Sequence, residues 1–281
     1  MLLKDKVVIV TGASTGIGSF IARRCAAEGA KVALMALCAP EEIAEVKQKI
    51  LAAGGVAESW IGDVTDAASD QKIVDDVARK FGSVDVLVNN AGIAYMNPIG
   101  TAPLADWDRI IAVNLSGPYY MINAVVPHMR KQGKGGAIVN ISSICSYWGL
   151  PKASGYTASK AGINGLCKGL VSELSPDRIR VNTVAPGNTH TPLSEAAYLV
   201  PGMEHSLRKL RSPTYRVFID PAEIAAAVVF LASDEASAIT GVVLPVDDGL
   251  SATMPDVLSK DENMEMILPT FRYNFDYDFK R

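Results

Sequence analysis

The sequence predicts an α/β fold, one doubly wound parallel sheet of about seven strands with helices on both faces. Three observations lead to it. Short apolar runs alternate with helix-length segments along most of the chain. The runs are rich in Val and Ile, as strands covered on both faces should be. No linker, repeat or low-complexity tract interrupts the alternation, which implies parallel strands joined by right-handed crossovers.

In chain order, Lys6–Val10 is the first expected strand and runs into a glycine-rich turn, and Lys31–Leu37 is the second. Glu41–Ala53 follows as an amphipathic helix, Val56–Trp60 as the third strand and Ala67–Phe81 as a second amphipathic helix. Val84–Val88, Ala137–Ile141 and Ile179–Val184 continue the sheet. Pro221–Ala232 has proline at a helix start, where its missing N–H costs nothing, and Val242–Val246 closes the series. Residues 1–250 therefore read as a single domain, with a long stretch at about 188–219 before the last expected helix. Residues 251–281 read as a C-terminal extension.

Bulk properties exclude several classes. Of the 281 residues, 49% are hydrophobic and 20% charged, enough apolar material for a substantial core. A net charge of −3 gives no basic footprint for nucleic acid. The N-terminus lacks a signal-peptide apolar core, and the longest apolar stretch, Ile224–Ala232, is too short to span a bilayer. Cys25, Cys38, Cys145 and Cys167 show no paired spacing, and His128, His190 and His205 no ligand spacing. The expectation is a soluble, cytoplasmic, metal-free protein with reduced thiols.

Two stretches carry chemistry. In Tyr156-Thr157-Ala158-Ser159-Lys160 a tyrosine and a lysine lie one helical turn apart on one face. An ammonium near a phenol favours the phenolate and moves its pKa toward working pH. Ser143, thirteen residues upstream, can hold a substrate oxygen beside that tyrosine. Its neighbour Ser142 is equal by type, but successive side chains leaving a strand point to opposite sides. The second stretch is Thr11-Gly12-Ala13-Ser14-Thr15-Gly16-Ile17-Gly18, between the first strand and a helical pattern. Its glycines permit a tight turn and close approach of backbone to a pyrophosphate at a helix N-terminus.

With these motifs, residues 4–250 resemble the short-chain dehydrogenase/reductase family, whose fold is Rossmann-type. The Thr-Gly-x-x-x-Gly-x-Gly loop is similar to its cofactor loop, and Asp63-Val64 to its adenine-contacting pair. Asn89-Asn90-Ala91-Gly92 resembles the stretch that supports the sheet and lines the cofactor site. Asn114, Ser143, Tyr156 and Lys160 fall in the order of the catalytic tetrad, and the family spacing selects Ser143 over Ser142. Pro186-Gly187, with Thr189 and Thr191, resembles the nicotinamide-cradling segment.

The resemblance implies an NAD(P)-dependent oxidoreductase that passes a hydride between a nicotinamide and a secondary alcohol or ketone. Tyr156 would be general acid and base, and Lys160 would lower its pKa and bind the nicotinamide ribose. Ser143 would stabilise the substrate oxygen, and Asn114 would hold a water linking Lys160 to solvent. The positions that choose between NAD and NADP are Ala36, Leu37 and Thr15, with neither the usual carboxylate nor an arginine. A buried phosphate without a cation is costly, so the lean is to NAD, with Ser14 and Thr15 able to serve NADP.

Expected substrate contacts are Ser143, Tyr156, Cys145, Tyr147, Trp148, Asn188 and Tyr198, with Tyr95, forming an aromatic-lined pocket for a ring or medium-sized substrate. By the same resemblance the long stretch at about 188–219 reads as a substrate-covering lid; it carries His205, Arg208, Lys209, Arg211 and Arg216, a solvated basic face or an attractor for an anionic substrate. In the extension, Phe271, Tyr273, Phe275, Tyr277 and Phe279 alternate with polar residues, as in a strand with one apolar face. That face is expected to pack on the body or on a neighbouring subunit of a homo-oligomer, a tetramer or dimer. Two other readings compete: a catalytically silent nucleotide-binding or scaffold protein, and an isomerase or dehydratase with tightly held cofactor.

Overall fold

Val8 and Val10 point into one hydrophobic core and Val7 and Ile9 into another, so the first strand reads as an unbroken apolar run. The computed structural model describes residues 1–198 and 218–252; the basic stretch of the lid and the aromatic alternation of the extension lie outside them. The strands are β1 (Val7–Thr11), β2 (Lys31–Ala36), β3 (Val56–Ile61), β4 (Val86–Asn89), β5 (Gly136–Ile141), β6 (Ile179–Pro186) and β7 (Val243–Val246). They form one sheet in the order β3-β2-β1-β4-β5-β6-β7, with every pairing parallel.

Helices α1 (Gly16–Ala27) and α2 (Pro40–Ala52) bury Ile21, Cys25, Ile43, Val46 and Ile50 against one face of the sheet. A helix that starts at Pro221 and ends at Ala232 adds Ile224, Val228 and Leu231 to the same core. The other face is covered by α3 (Ala67–Phe81), α5 (Gly117–Gln132) and α6 (Ser154–Leu174), through Val74, Val77, Met121, Val125, Cys167 and Leu170. Between α3 and α5 lies α4 (Leu104–Ile111), which passes into α5 through a π-helical turn, Ala112–Ser116. A short α7 (Pro192–Tyr198) follows β6, and Pro221–Ala232 becomes α8. Among the described residues no helix is long and apolar enough to cross a membrane.

The observed strands differ from the expected ones by one or two residues at their ends. Lys6 lies outside β1 and pairs with Asp234 at 2.8 Å, while Thr11 completes the strand. Val84 stays outside β4 because its N–H donates to the Gln132 side chain at 2.7 Å. Because β1 lies between β2 and β4, the chain leaves β1 and β4 toward opposite sides of the sheet. That reversal opens a crevice beyond the carboxyl ends of the strands.

Candidate active site

The crevice is a cleft of about 400 Å³ that runs from Ala36 and Asp63 at one end to Ser143 and Tyr156 at the other. Its first wall is the β1–α1 turn. Gly12 has φ +63°, and a Cβ there would lie 2.9 Å from the Ala91 Cα, so only glycine lets the turn press against the chain leaving β4. Thr11 completes the clamp: its hydroxyl accepts from the N–H groups of Asn90 (3.0 Å) and Ala91 (3.1 Å). The Asn90 amide in turn donates to the carbonyls of Thr11 and Gly12. Two glycines of the loop thus serve packing: Gly12 meets Ala91, and a Cβ on Gly18 would fall 2.1 Å from the Gly12 carbonyl oxygen.

The N-terminus of α1 opens onto this wall. Thr15, its N-cap residue, makes no side-chain capping bond, and no acidic residue sits in the first turn. Main-chain N–H groups and the positive end of the helix dipole are therefore available to an anion. Ser14, Thr15, Gly16 and Ile17 line the cleft here, and Thr191 closes over Gly16 from the β6 side. Thr189, also lining, donates to the Gly187 carbonyl at 3.0 Å. This combination fits the pyrophosphate of a dinucleotide. At the outer end Ala36 is buried, Leu37 is 63% exposed, and both line the cleft with Asp63 and Val64.

At the inner end, β5 delivers Ser142 and Ser143 in opposite directions. The Ser142 hydroxyl donates to the main-chain carbonyl of Lys160 at 2.9 Å, pinning α6. The Ser143 hydroxyl accepts from the Cys145 N–H at 3.1 Å and lines the cleft together with Tyr156. Lys160 is 4% exposed, donates to the Ile141 carbonyl at 2.9 Å, and places Nζ 5.7 Å from the centre of the Tyr156 ring.

The protonation pattern corrects one expectation. Burial raises the Tyr156 pKa above its usual value, and Cys145 adds to the rise while the neighbouring Ser143 hydroxyl opposes it. Burial brings Lys160 down to about 8. The ammonium is aimed at a carbonyl rather than at the phenol oxygen, so desolvation outweighs the lowering expected from the lysine.

Asn114 lies in the π-helical turn and is buried. Its amide donates to the Ile93 carbonyl (2.9 Å) and to Ser159 (3.1 Å), and its oxygen accepts from the Ile93 N–H at 2.9 Å. A Cβ on Gly92 would lie 3.4 Å from both this oxygen and the Lys160 ammonium, which places both polar atoms around one small space.

The structure divides the expected substrate contacts. Cys145 and Asn188 line the cleft, but Tyr95, Tyr147 and Trp148 do not. Tyr147 is 48% exposed and its hydroxyl donates to the Val243 carbonyl at 3.3 Å. The chain after Ser143 turns through a short 3₁₀ helix, Ile144–Ser146, with about three residues per turn, so neighbouring side chains diverge instead of alternating. The Tyr198 side chain lies outside the described residues. Aliphatic and thioether side chains join Ser143, Tyr156, Cys145 and Asn188 in the described lining: Ala94, Met96, Ile144, Leu150 and Leu193. Sequence reasoning missed these, along with Arg109 on α4, which also lines the cleft. The signal for Arg109 was its place five residues before Asn114 on one helical stretch.

Comparison with known proteins gives a consistent set of likenesses. A family model described as Enoyl-(Acyl carrier protein) reductase matches residues 12–251. D-threitol dehydrogenase of Mycolicibacterium smegmatis is 42% identical over 247 residues, 88% of this chain and 93% of that protein. The 3-oxoacyl-(acyl-carrier-protein) reductase of Thermotoga maritima is 39% identical over 250 residues, 89% of this chain and 99% of that protein. Among solved structures, carveol dehydrogenase of Mycobacterium avium in complex with NAD superposes with a TM-score of 0.84 at 30% identity. It covers 90% of this chain and 99% of its own.

Proposed function

The chain belongs to the short-chain dehydrogenase/reductase family, and from that premise we propose that Tyr156 is its general acid and base. It is an NAD(P)-dependent oxidoreductase that transfers a hydride between a nicotinamide cofactor and a secondary alcohol or ketone. The observation that carries the assignment of residues is the convergence of Ser143, Tyr156 and Lys160 at the end of a cleft that begins at an uncapped helix N-terminus.

The nicotinamide, when bound, supplies the hydride chemistry. The protein's part is the proton. Burial holds the Tyr156 pKa above its usual value, so the phenol stands ready to donate its proton to a ketone oxygen. Ser143 donates a hydrogen bond to the same oxygen as charge develops there. In the oxidative direction Tyr156 accepts the hydroxyl proton, and positive charge near the phenol assists by favouring the phenolate. Lys160, with its pKa near 8, would bind the nicotinamide ribose and exchange protons through a water held beside Asn114 and Gly92.

Gly12, Ser14, Gly16, Ile17, Asn90, Ala91, Pro186 and Thr191 would hold the dinucleotide, with Asp63 and Val64 at the adenine. The preferred cofactor is NAD. Ala36 and Leu37 offer a 2′-phosphate no cation, and the guanidinium lining the described cleft, that of Arg109, is already paired with Asp63. The described substrate end carries no carboxylate and no arginine, which supports an uncharged, largely apolar alcohol or ketone. The four free thiols fit a cytoplasmic protein, and the exposed Ile99, Leu104 and Trp107 fit burial in a homotetramer or dimer. Residues 251–281 would pack on the body or on a neighbouring subunit.

The test is a panel of secondary alcohols and ketones, charged and uncharged, assayed with NAD and NADP at the reduced-nicotinamide absorbance band. Net turnover with uncharged members, faster with NAD, is expected. Dinucleotide binding without turnover across the panel would instead mark a silent binding protein.

A further inference from the structure

Arg109 joins the two walls at the outer end of the cleft. Its Nη2 donates to Asp63 Oδ2 at 2.9 Å and its Nη1 to the Thr65 hydroxyl at 3.1 Å. The other Asp63 oxygen accepts from the Thr65 N–H (3.0 Å) and hydroxyl (2.8 Å). The carboxylate is thereby fixed by three donors from two residues, and of its roughly four lone-pair sites one remains for a ligand. Burial opposes ionisation of this carboxyl, but the Thr65 N–H and the Arg109 guanidinium outweigh it and hold the pKa below the usual range. Asp63 and Arg109 both line the cleft.

The helix that carries Arg109 is held against the same loop at its far end. The π-helical turn leads to Gly117, where a Cβ would lie 2.7 Å from the Val64 side chain. One helical stretch therefore bears on Asp63 through Arg109, on Val64 through Gly117, and on Ile93 and Ser159 through Asn114.

We propose that Arg109 is a positioning residue for recognition of the adenine base, holding Asp63 so that its free lone pair accepts from the exocyclic amine. The proposal rests on the dinucleotide reading of the cleft given above. An acceptor fixed in this way distinguishes adenine, which presents an amine, from hypoxanthine, which presents a carbonyl at the same position. Repulsion between that carbonyl and a fixed carboxylate adds to the lost hydrogen bond.

The experiment measures dissociation constants of the full-length protein for reduced nicotinamide adenine dinucleotide and for its hypoxanthine analogue, by nicotinamide fluorescence without substrate. The wild type is expected to favour adenine by about tenfold, the scale of one hydrogen bond to a charged group. In Arg109→Met the preference should shrink to about twofold, and Arg109→Lys, which keeps one cationic donor, should recover part of it. Asp63→Asn, which can turn an amide N–H toward the base, should narrow or reverse the preference without touching Arg109. A preference unchanged in Arg109→Met, or equal weakening of both dinucleotides, would overturn the role. Absence of any adenine preference in the wild type would overturn it too. Failure of the wild type to bind either dinucleotide would instead sink the reading of the cleft itself.

Discussion

At the Asp63 end of the cleft a carboxylate meets a guanidinium at 2.9 Å and stays partly open to water. At the Tyr156 end an ammonium is 4% exposed, meets the Ile141 carbonyl, and has no carboxylate within salt-bridge distance among the described residues. The consequences for protonation are opposite. Asp63 is held ionised, whereas Lys160 is brought to about 8 and the Tyr156 phenol is pushed up by burial. An end that only holds a ligand can pair its charges where they stand. An end that must pass a proton needs groups whose charge is not locked, and the fold bears the desolvation cost.

Replacing Lys160 should break this contrast most strongly. Its folded pKa lies below the ordinary 10.5, so the folded protein binds fewer protons than the unfolded chain between about 8 and 10.5. Stability therefore rises with pH across that window, and below it the penalty is complete. Lys160→Met should lower turnover by roughly 10³-fold while raising stability at neutral pH by about 3 kcal/mol. Denaturant unfolding at pH 7 and pH 10 checks this. A variant no more stable than wild type at pH 7 would show that Lys160 is not strained.

A smaller effect is expected beneath the nucleotide end. Asp70, in the first turn of α3, is fully buried, and neither carboxylate oxygen has a hydrogen-bond partner. Burial, with Asp66 and Asp63 nearby, raises its pKa to about 7. Asp85 is a useful control. It is nearly as buried but is met by the Val7 N–H, the Ser83 hydroxyl and Lys134, and these outweigh burial and lower its pKa. For Asp70 the folded protein binds more protons than the unfolded chain between the ordinary 3.8 and about 7, so stability falls as pH rises through that window. Asp70→Val should remove this slope and add about 3 kcal/mol at pH 7. An unchanged pH dependence of unfolding would mean that Asp70 finds a partner.

The layered fold was legible because strands buried on both faces leave apolar runs, and because glycine spacing marks the turn where β1 must approach Ala91. Ser143, Tyr156 and Lys160 were legible from helical spacing and from resemblance. What escaped depends on geometry that no local pattern encodes. The π-helical turn at Ala112–Ser116 changes which residues of one helical stretch face the cleft, and Arg109 meets Asp63 across 46 positions of sequence. The 3₁₀ turn after Ser143 likewise sends Cys145 into the cleft lining and leaves Tyr147 48% exposed, a divergence that no alternating pattern encodes.

The account rests on Tyr156 as the residue that moves the proton. Tyr156→Phe removes one hydroxyl, and the measurement is turnover beside the dinucleotide dissociation constant of the same preparation. Turnover should fall by about 10³-fold or more while the dissociation constant stays within about threefold. Full activity in the phenylalanine variant would contradict the assignment.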